Sequence, residues 1–282
     1  RAKKEELPLP EPKPEPEIDA QYIIDQYVTA VGGRNKIEAV RNVVMRGQFI
    51  MREMGATANV ESYQSGNNYK HTMFMNGVGS VTQGITDGTV WELNPMEGDR
   101  ILSGPEADEV RRTADINPFM NWRTHFASAT LAGEMQGDYK VVFGPKDSFG
   151  MDTIAYFDIQ TGLLDKIESY VDGIYSVATL SGYRDIDGLK FAFNGEIAAD
   201  YKMEVKYESV QLNVDLNPAV FAMPPYLQEL VWEQGVTVQQ VMEMLDLNGD
   251  GKITLSESPE ELRASFSEFD LNGDRSIDLS EA

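Results

Sequence analysis

The sequence predicts an α+β protein: a long antiparallel β-sheet with helices packed against it, then a small all-α module at the C-terminus. Three observations carry this. Apolar and polar residues alternate over several runs, the period of a strand with one buried face. Five Asn-Gly or Asp-Gly pairs punctuate those runs, and such pairs tolerate the positive φ angles of tight hairpins. Two twelve-residue loops rich in side-chain oxygens close the chain.

Taken in order, residues 1–17 read "RAKKEELPLPEPKPEPE", with proline at every second position from Pro8 to Pro16. Such a run is biased to polyproline II and reads either as a stiff spacer or as a disordered tail. A helix opens the next segment, 18–225, with Tyr22, Ile23, Tyr27 and Ala30 at helical spacing and "VGG" as its stop. A short helix over 35–40 follows. The period then becomes two. Val43, Met45, Phe49 and Met51 share a face, and later Tyr201, Met203, Val205 and Tyr207 do, with Lys202, Glu204, Lys206 and Glu208 opposite. Val210, Leu212 and Val214 run one residue out of step, which predicts a β-bulge near 208–210. Asn76-Gly77, Asp87-Gly88, Asp172-Gly173, Asp187-Gly188 and Asn194-Gly195 mark the hairpins. The stretch "GPEADEVRRTADINPFMNWRTHFAS" interrupts the strands with one or two helices broken at Pro118. A single sheet cannot bury its apolar face alone, so the first helix and this insertion are its expected covers.

The chain has 282 residues, 41% of them hydrophobic, and a net charge of −22. That charge argues against nucleic acid and anionic membranes as partners and suits divalent cations or basic surfaces. With no cysteine, thiolate catalysis, disulfides and Cys-ligated metals are excluded. His71 and His125 are too far apart in sequence for a local metal motif, and both read as structural. No apolar run approaches the roughly 20 residues that span a bilayer. The chain starts at Arg1, which reads as a mature or trimmed form, so a targeting segment or lipid anchor would lie upstream.

Residues 226–282 hold thirteen acidic against three basic side chains, nearly half of the chain's net charge. Within them "DLNGDGKITLSE" matches an EF-hand calcium loop at each diagnostic position. Asp246, Asn248 and Asp250 offer side-chain oxygens at positions 1, 3 and 5. Gly251 makes the turn at 6, Lys252 offers its carbonyl at 7 with its charge free to point outward, Thr254 acts at 9, and Glu257 gives two oxygens at 12. The second loop supplies Asp270, Asn272, Asp274, Ser276, Asp278 and Glu281 at the same positions, but Arg275 stands where glycine belongs. A non-glycine residue in left-handed conformation costs roughly 1–2 kcal/mol. Two Ca²⁺ sites are therefore expected, the second weaker. Ile253 and Ile277 are placed to join the loops through a short β bridge. Thr237 and Gln240 form a capping box ahead of Val238, Val241, Met242 and Leu245. Ser258 caps the helix between the loops, Pro259 takes its first position, Glu261 closes its box, and Leu262, Phe266 and Phe269 form its stripe. The loops start only 24 residues apart, so one helix serves both, and the second exit helix is missing. Met242 and Met244 read as core.

The stretches "YIIDQYVTAVGGRNKIEAVRNVVMRGQF", "GITDGTVWELNP", "YFDIQTGLLDKIE", "YRDIDGLKFAF" and "NPAVFAMP" resemble, in content and order, the bacterial outer-membrane lipoprotein carrier and sorting family of LolA/LolB type. The resemblance spans about Ala20 to Pro224. It implies an open, unclosed antiparallel β-barrel wrapped around helices, a cavity for acyl chains, and a periplasmic or outer-membrane location. Candidate lining residues are Phe119, Met120, Trp122 and Phe126 on the insertion, and Phe49, Met51, Met73 and Trp91 on strands; each also reads as plain core. The C-terminal part resembles the compact EF-hand pairs of bacterial secreted proteins.

Two functions compete: a calcium-stabilised holder of a lipid or lipoprotein acyl chain, and a structural subunit of an envelope assembly. In the second, the barrel is a scaffold, and the acidic module or the Pro-rich arm docks a protein partner. A continuous apolar cavity favours the first; a cavity filled by the protein's own aromatics favours the second. No Ser/His/Asp set supports an enzyme.

Overall fold

The structure is a computed structural model that describes residues 18–146, 150–171, 174–227, 245, 246, 248, 250–259, 263, 266, 270 and 274–278. Its helices are α1 (Ala20–Ala30), α2 (Arg34–Glu38), α3 (Gly104–Ala114) and α4 (Trp122–His125). The strands begin with β1 (Asn42–Met51), β2 (Ala56–Ser65), β3 (Asn68–Met75), β4 (Gly79–Thr86), β5 (Thr89–Leu93) and β6 (Arg100–Leu102). After the insertion come β7 (Ser128–Met135), β8 (Asp138–Gly144), β9 (Thr153–Asp158), β10 (Leu164–Val171), β11 (Ile174–Ile186), β12 (Leu189–Ala198) and β13 (Lys202–Leu212). Two short strands, β14 (Lys252–Thr254) and β15 (Ser276–Asp278), belong to the C-terminal segment.

Strands β1–β13 form one sheet in the order β6-β5-β4-β3-β2-β1-β13-β12-β11-β10-β9-β8-β7. Every hairpin is antiparallel and β6 does not meet β7, so the sheet is open, as predicted. The chain divides into two compact units, one running to Val40 and resuming over Ile116–Lys206, the other formed by Arg41–Asp115 and the residues from Tyr207 on.

In the first unit, Asp19 caps α1 by accepting from the Tyr22 N–H at 2.7 Å. α1 ends at Ala30 with Val31 as its C-cap, and at Gly32, φ 127°, a Cβ would lie 2.3 Å from the Gly188 carbonyl oxygen, so this close pass requires glycine. The buried face of α1 is Ala20, Ile23, Ile24, Tyr27 and Val28, not the predicted Tyr22 and Ala30. Tyr27 meets Phe157 at 5.2 Å between ring centroids and Phe119 at 6.4 Å. Phe143 lies 5.0 Å from both Phe119 and Phe126.

In the second unit, α3 covers one face of the sheet. Ala107 and Val110 pack with Tyr69, Ile85, Val90 and Leu102, which register places in one cross-strand row. On the other face Trp91 lies flat over Gly84, where a Cβ would sit 2.2 Å from the indole. Met223 and Leu227 close over that indole, and its N–H donates to Thr86 Oγ1 at 2.9 Å. Val205 of the first unit and Val210 of the second, both in β13, are buried at odd spacing.

Three predicted turns lie where expected: 76–78, Asp87-Gly88 and Asp187-Gly188. Asn194-Gly195 does not turn; it lies inside β12, where Gly195 passes close to the Thr179 carbonyl. Asp172-Gly173, the Pro-rich run 1–17, the capping box at Thr237 and Gln240, the positions Val238, Val241, Met242, Met244, Glu261, Leu262 and Phe269, and the ligands Asn272 and Glu281 lie outside the described residues. Among the described residues, no helix is long and apolar enough to cross a membrane.

Candidate calcium loops and candidate ligand face

The two C-terminal loops are wired alike. In the first, the Gly251 N–H donates to Asp246 at 2.7 Å and the Lys252 N–H to Asp250 at 3.0 Å. In the second, the Arg275 N–H donates to Asp270 at 3.0 Å and the Ser276 N–H to Asp274 at 2.9 Å. Positions 6 and 7 thus orient the carboxylates of positions 1 and 5 in both. Gly251 has φ 81° and Arg275 φ 68°, so the arginine occupies the left-handed conformation that its loop position demands. Ile253 pairs with Ile277 through β14 and β15, and both are buried with Phe266, Leu245 packing beside them. Ser258 donates its hydroxyl back to the Thr254 carbonyl at 2.9 Å, tying loop one to the turn after it; the backbone it would cap lies outside the described residues.

Glu257 supplies the test of fit for a cation. Its Oε2 accepts from the Thr254 N–H at 2.9 Å and the Thr254 hydroxyl at 2.6 Å. Those bonds, the hydroxyl's foremost, hold its carboxyl below the usual range. Its Oε1 is buried with no hydrogen-bond partner. A buried carboxylate oxygen without a partner is costly unless a cation takes it. Calcium, which takes six to eight hard oxygens, fits a carboxylate at position 12.

Lys252 departs from expectation. Its ammonium reaches loop two, 2.8 Å from Asp274 Oδ2 and 3.1 Å from Ser276 Oγ. It is the main cause, with the Ser276 hydroxyl, of the Asp274 carboxyl falling to about 2. The reason is geometric: pairing at Ile253 and Ile277 sets Lys252 opposite Asp278 in the ladder, beside the acids of the second loop.

The eight candidate lining residues divide between the two units, four in each. Phe119, Met120 and Phe126 are buried in the first unit among Tyr27, Phe143 and Phe157, where they fill the space beneath the insertion themselves. Trp122 is half-buried, stacked with the Arg123 guanidinium at 4.2 Å and donating to Gln21 at 3.3 Å. In the second unit, register separates the other four. Gly47, Val60, Met73 and Val81 oppose one another across β1–β4, and Phe49 and Met51 flank that row on the same face. Trp91 opposes Gly84 and Lys70, and so lies on the other face. Phe49 and Met73 remain half-open while Met51 is buried. Pattern alone could not separate Trp91 from the others, because face assignment needs the register between strands.

The same face carries His71, whose Nδ1 lies 2.7 Å from Ser62 Oγ and whose pKa burial pushes down to about 4. Beside it Gln83 donates to buried Glu92 at 2.8 Å, and Arg100 bridges Glu92 and Glu106 at 3.1–3.2 Å. This polar row was missed in the sequence, where its members stand in five separate strands and α3. A second group missed is Asp138, Asp158 and Asp165, with carboxylate oxygens within 4.8 Å of one another. Burial, then mutual repulsion, raises Asp138 and Asp165.

A family model described as "EF hand" matches residues 238–257. The structure is similar to a DUF1329 family protein from Desulfovibrio piger, at TM-score 0.53 and 13% identity over 72% of this chain and 97% of that one. It is similar also to a LolA superfamily protein from Nitrosomonas europaea, at TM-score 0.51 and 12% identity over 73% of this chain and 99% of that one. No curated protein matches the chain. The body of this protein thus has the open antiparallel fold of the LolA superfamily, and an EF-hand motif follows it.

Proposed function

We propose that this is a non-catalytic, calcium-binding protein of the bacterial cell envelope, periplasmic or at the outer membrane, that holds a hydrophobic ligand on its open sheet. On this reading residues 1–17 are a spacer, 18–225 the holder and 226–282 the calcium module. The observation that carries the calcium part is the buried Oε1 of Glu257, without a hydrogen-bond partner, in a loop whose positions 1 and 5 are Asp246 and Asp250. Bound calcium would be held by Asp246, Asn248, Asp250, the Lys252 carbonyl, Thr254 and Glu257, and would supply structural cross-linking rather than chemistry. Asp270, Asp274, Ser276 and Asp278, with Asn272 and Glu281, would hold a second, weaker ion.

The ligand part rests on the half-open apolar stretch around Phe49 and Met73, beside the part of the face that α3 covers. The insertion residues Phe119 and Phe126 serve it as core, not as lining. The scaffold reading keeps one specific support, the aromatic filling beneath that insertion, and there the acidic module or Pro-rich arm is the docking surface for an envelope protein. Binding of a fluorescent fatty acid to the full chain separates the two. Saturable binding lost in Phe49→Ser/Met73→Ser, with melting temperature held, supports the holder. Absence of saturable binding, together with no co-purifying lipid by mass spectrometry, leaves the scaffold.

A further inference from the structure

The sheet ends on one side at β6, three residues long, and on the other at β7, which runs for eight. A short edge offers little to pair with, whereas a long one is a template for another strand unless charge, proline or a cover blunts it. β7 reads "SATLAGEM", with Glu134 as its one charge and no proline. Ser128, Thr130 and residues 132–135 are exposed. Register shows which backbone groups of this edge are open. The Ile159 N–H donates to the Gly137 carbonyl at 3.0 Å, so Gly137 points to β9, and alternation turns Asp138, Lys140, Val142 and Gly144 towards β7. The Gly144 carbonyl accordingly accepts from the Ala127 N–H at 2.9 Å. The partners Ser128, Thr130, Gly133 and Met135 are engaged by that side. Ala129, Leu131 and Glu134 therefore present N–H and C=O outward, with no partner among the described residues.

The same chain holds a segment suited to such an edge. In an extended strand, the N–H and C=O groups of every second residue point to the same side. Proline at 8, 10, 12, 14 and 16 removes each donor from one side of the N-terminal run, while Leu9, Glu11, Lys13, Glu15 and Glu17 keep theirs on the other. Leu9, Glu11, Lys13 and Glu15 each precede a proline, which biases them to extended backbone. A strand of this kind pairs on one side only, and an edge is where a sheet tolerates proline. Its attachment point is at the right end of β7. Gln21, in the first turn of α1, accepts from Trp122 at 3.3 Å and Arg123 at 3.0 Å, a few residues ahead of β7. At the other end of α1, a Cβ on Gly162 would lie 3.2 Å from that of Ala30, and Gly162 belongs to the turn whose Ile159 meets Gly137, just past β7. α1 thus runs from the start of β7 towards its end, and only Ile18 and Asp19 separate Glu17 from the helix. All of these residues belong to one unit.

We propose that residues 8–17 lie antiparallel along the outer edge of β7, with the odd-numbered residues bonding Ala129, Leu131 and Glu134 and the prolines facing outward to end the sheet. This shortens the spacer to the residues ahead of Pro8 and does not depend on whether the sheet carries a ligand. Amide exchange of the full chain, read by NMR, tests it. In wild type the Ala129 and Leu131 N–H groups are protected. In Glu11→Pro/Lys13→Pro/Glu15→Pro, which keeps the run extended, removes inward donors and sets proline rings against β7, they exchange about tenfold or more faster. Thr130, bonded to β8, changes less. Glu11→Ala/Lys13→Ala/Glu15→Ala makes the same change of charge, keeps the donors and retains the protection. The proposal is overturned if Ala129 and Leu131 exchange at unprotected rates in wild type, or if the proline variant leaves them as they were. It is overturned too if the alanine variant loosens them as much, or if Thr130 loosens by the same factor. It is overturned equally if their protection falls on dilution together with a dimer seen by light scattering, since the strand on β7 would then come from a second copy.

Discussion

Replacing Arg275 by glycine tests where the strain of the second loop is spent. Arg275 sits at φ 68° and its first-loop counterpart Gly251 at φ 81°. A Cβ added at Gly251 would meet nothing within 4 Å, so at this loop position the penalty is backbone conformation and not crowding. That penalty is roughly 1–2 kcal/mol. Glycine returns about 0.5–1 kcal/mol of it through the greater freedom of the unfolded chain. If the loop takes its left-handed turn only when calcium binds, the same net of about 0.5–1 kcal/mol tightens the second site by about two- to fivefold. If the turn is already formed without metal, as the 3.0 Å bond from the Arg275 N–H to Asp270 describes, the gain goes to folding. The module then melts higher in EDTA by the equivalent of about 0.5–1 kcal/mol, and calcium affinity changes little. Arg275→Ala is the control, because it removes the same positive charge and keeps the Cβ. Two-site calorimetry and thermal melts in EDTA, on the full chain, read both quantities. Equal behaviour of the glycine and alanine variants in both measurements refutes the backbone argument and leaves only charge.

Lys252→Gln removes the ammonium from Asp274 and Ser276; the pair is exposed, so the second site should tighten by up to about fivefold with the first unchanged, read by the same calorimetry. A loosened second site would mean that Lys252 supports the loop rather than competing for it. Gly84→Ala places a Cβ 2.2 Å from the Trp91 indole and should destabilise by about 1–3 kcal/mol or more in urea, with a shift in tryptophan fluorescence. Stability should rise with pH through His71 and be lost as pH falls toward about 4. Its ordinary value of 6.5 is lowered to about 4 by burial, so between those values the unfolded chain binds the extra proton. The slope is at most about 1.4 kcal/mol per pH unit, and His71→Gln should remove it from the pH dependence of urea midpoints.

What could be read from the sequence was what depends on neighbours along the chain. The pair Asp87-Gly88 turns because both residues accept positive φ, 49° and 85°, and nothing distant is needed. The loop pattern from Asp246 to Glu257 is legible for the same reason, since its ligands stand at fixed offsets on one turn. Asn194-Gly195 misled because the same dipeptide can sit in a strand when another backbone passes close, and the Thr179 carbonyl is sixteen residues from Gly195 in sequence. Trp91 misled for a related reason: alternation says that Val90 and Trp91 face opposite ways, but not which of them shares a face with Met73. Only the chain of pairings Val90–Ile85–Tyr69 and Trp91–Gly84–Lys70 decides it. Lys252 shows the limit most sharply. Its loop position assigns a role to its carbonyl and leaves its side chain unassigned, while pairing with β15 turns that ammonium toward Asp274. The first loop's seventh residue thus supplies a cation to the second loop's fifth, so the two loops are coupled through a charge that neither loop pattern contains. A calcium ion entering the second loop would compete with Lys252 for Asp274, whereas one held in the first through the Lys252 carbonyl would not. Filling of the first loop before the second would therefore have two independent causes: the left-handed Arg275 and the ammonium seated on Asp274.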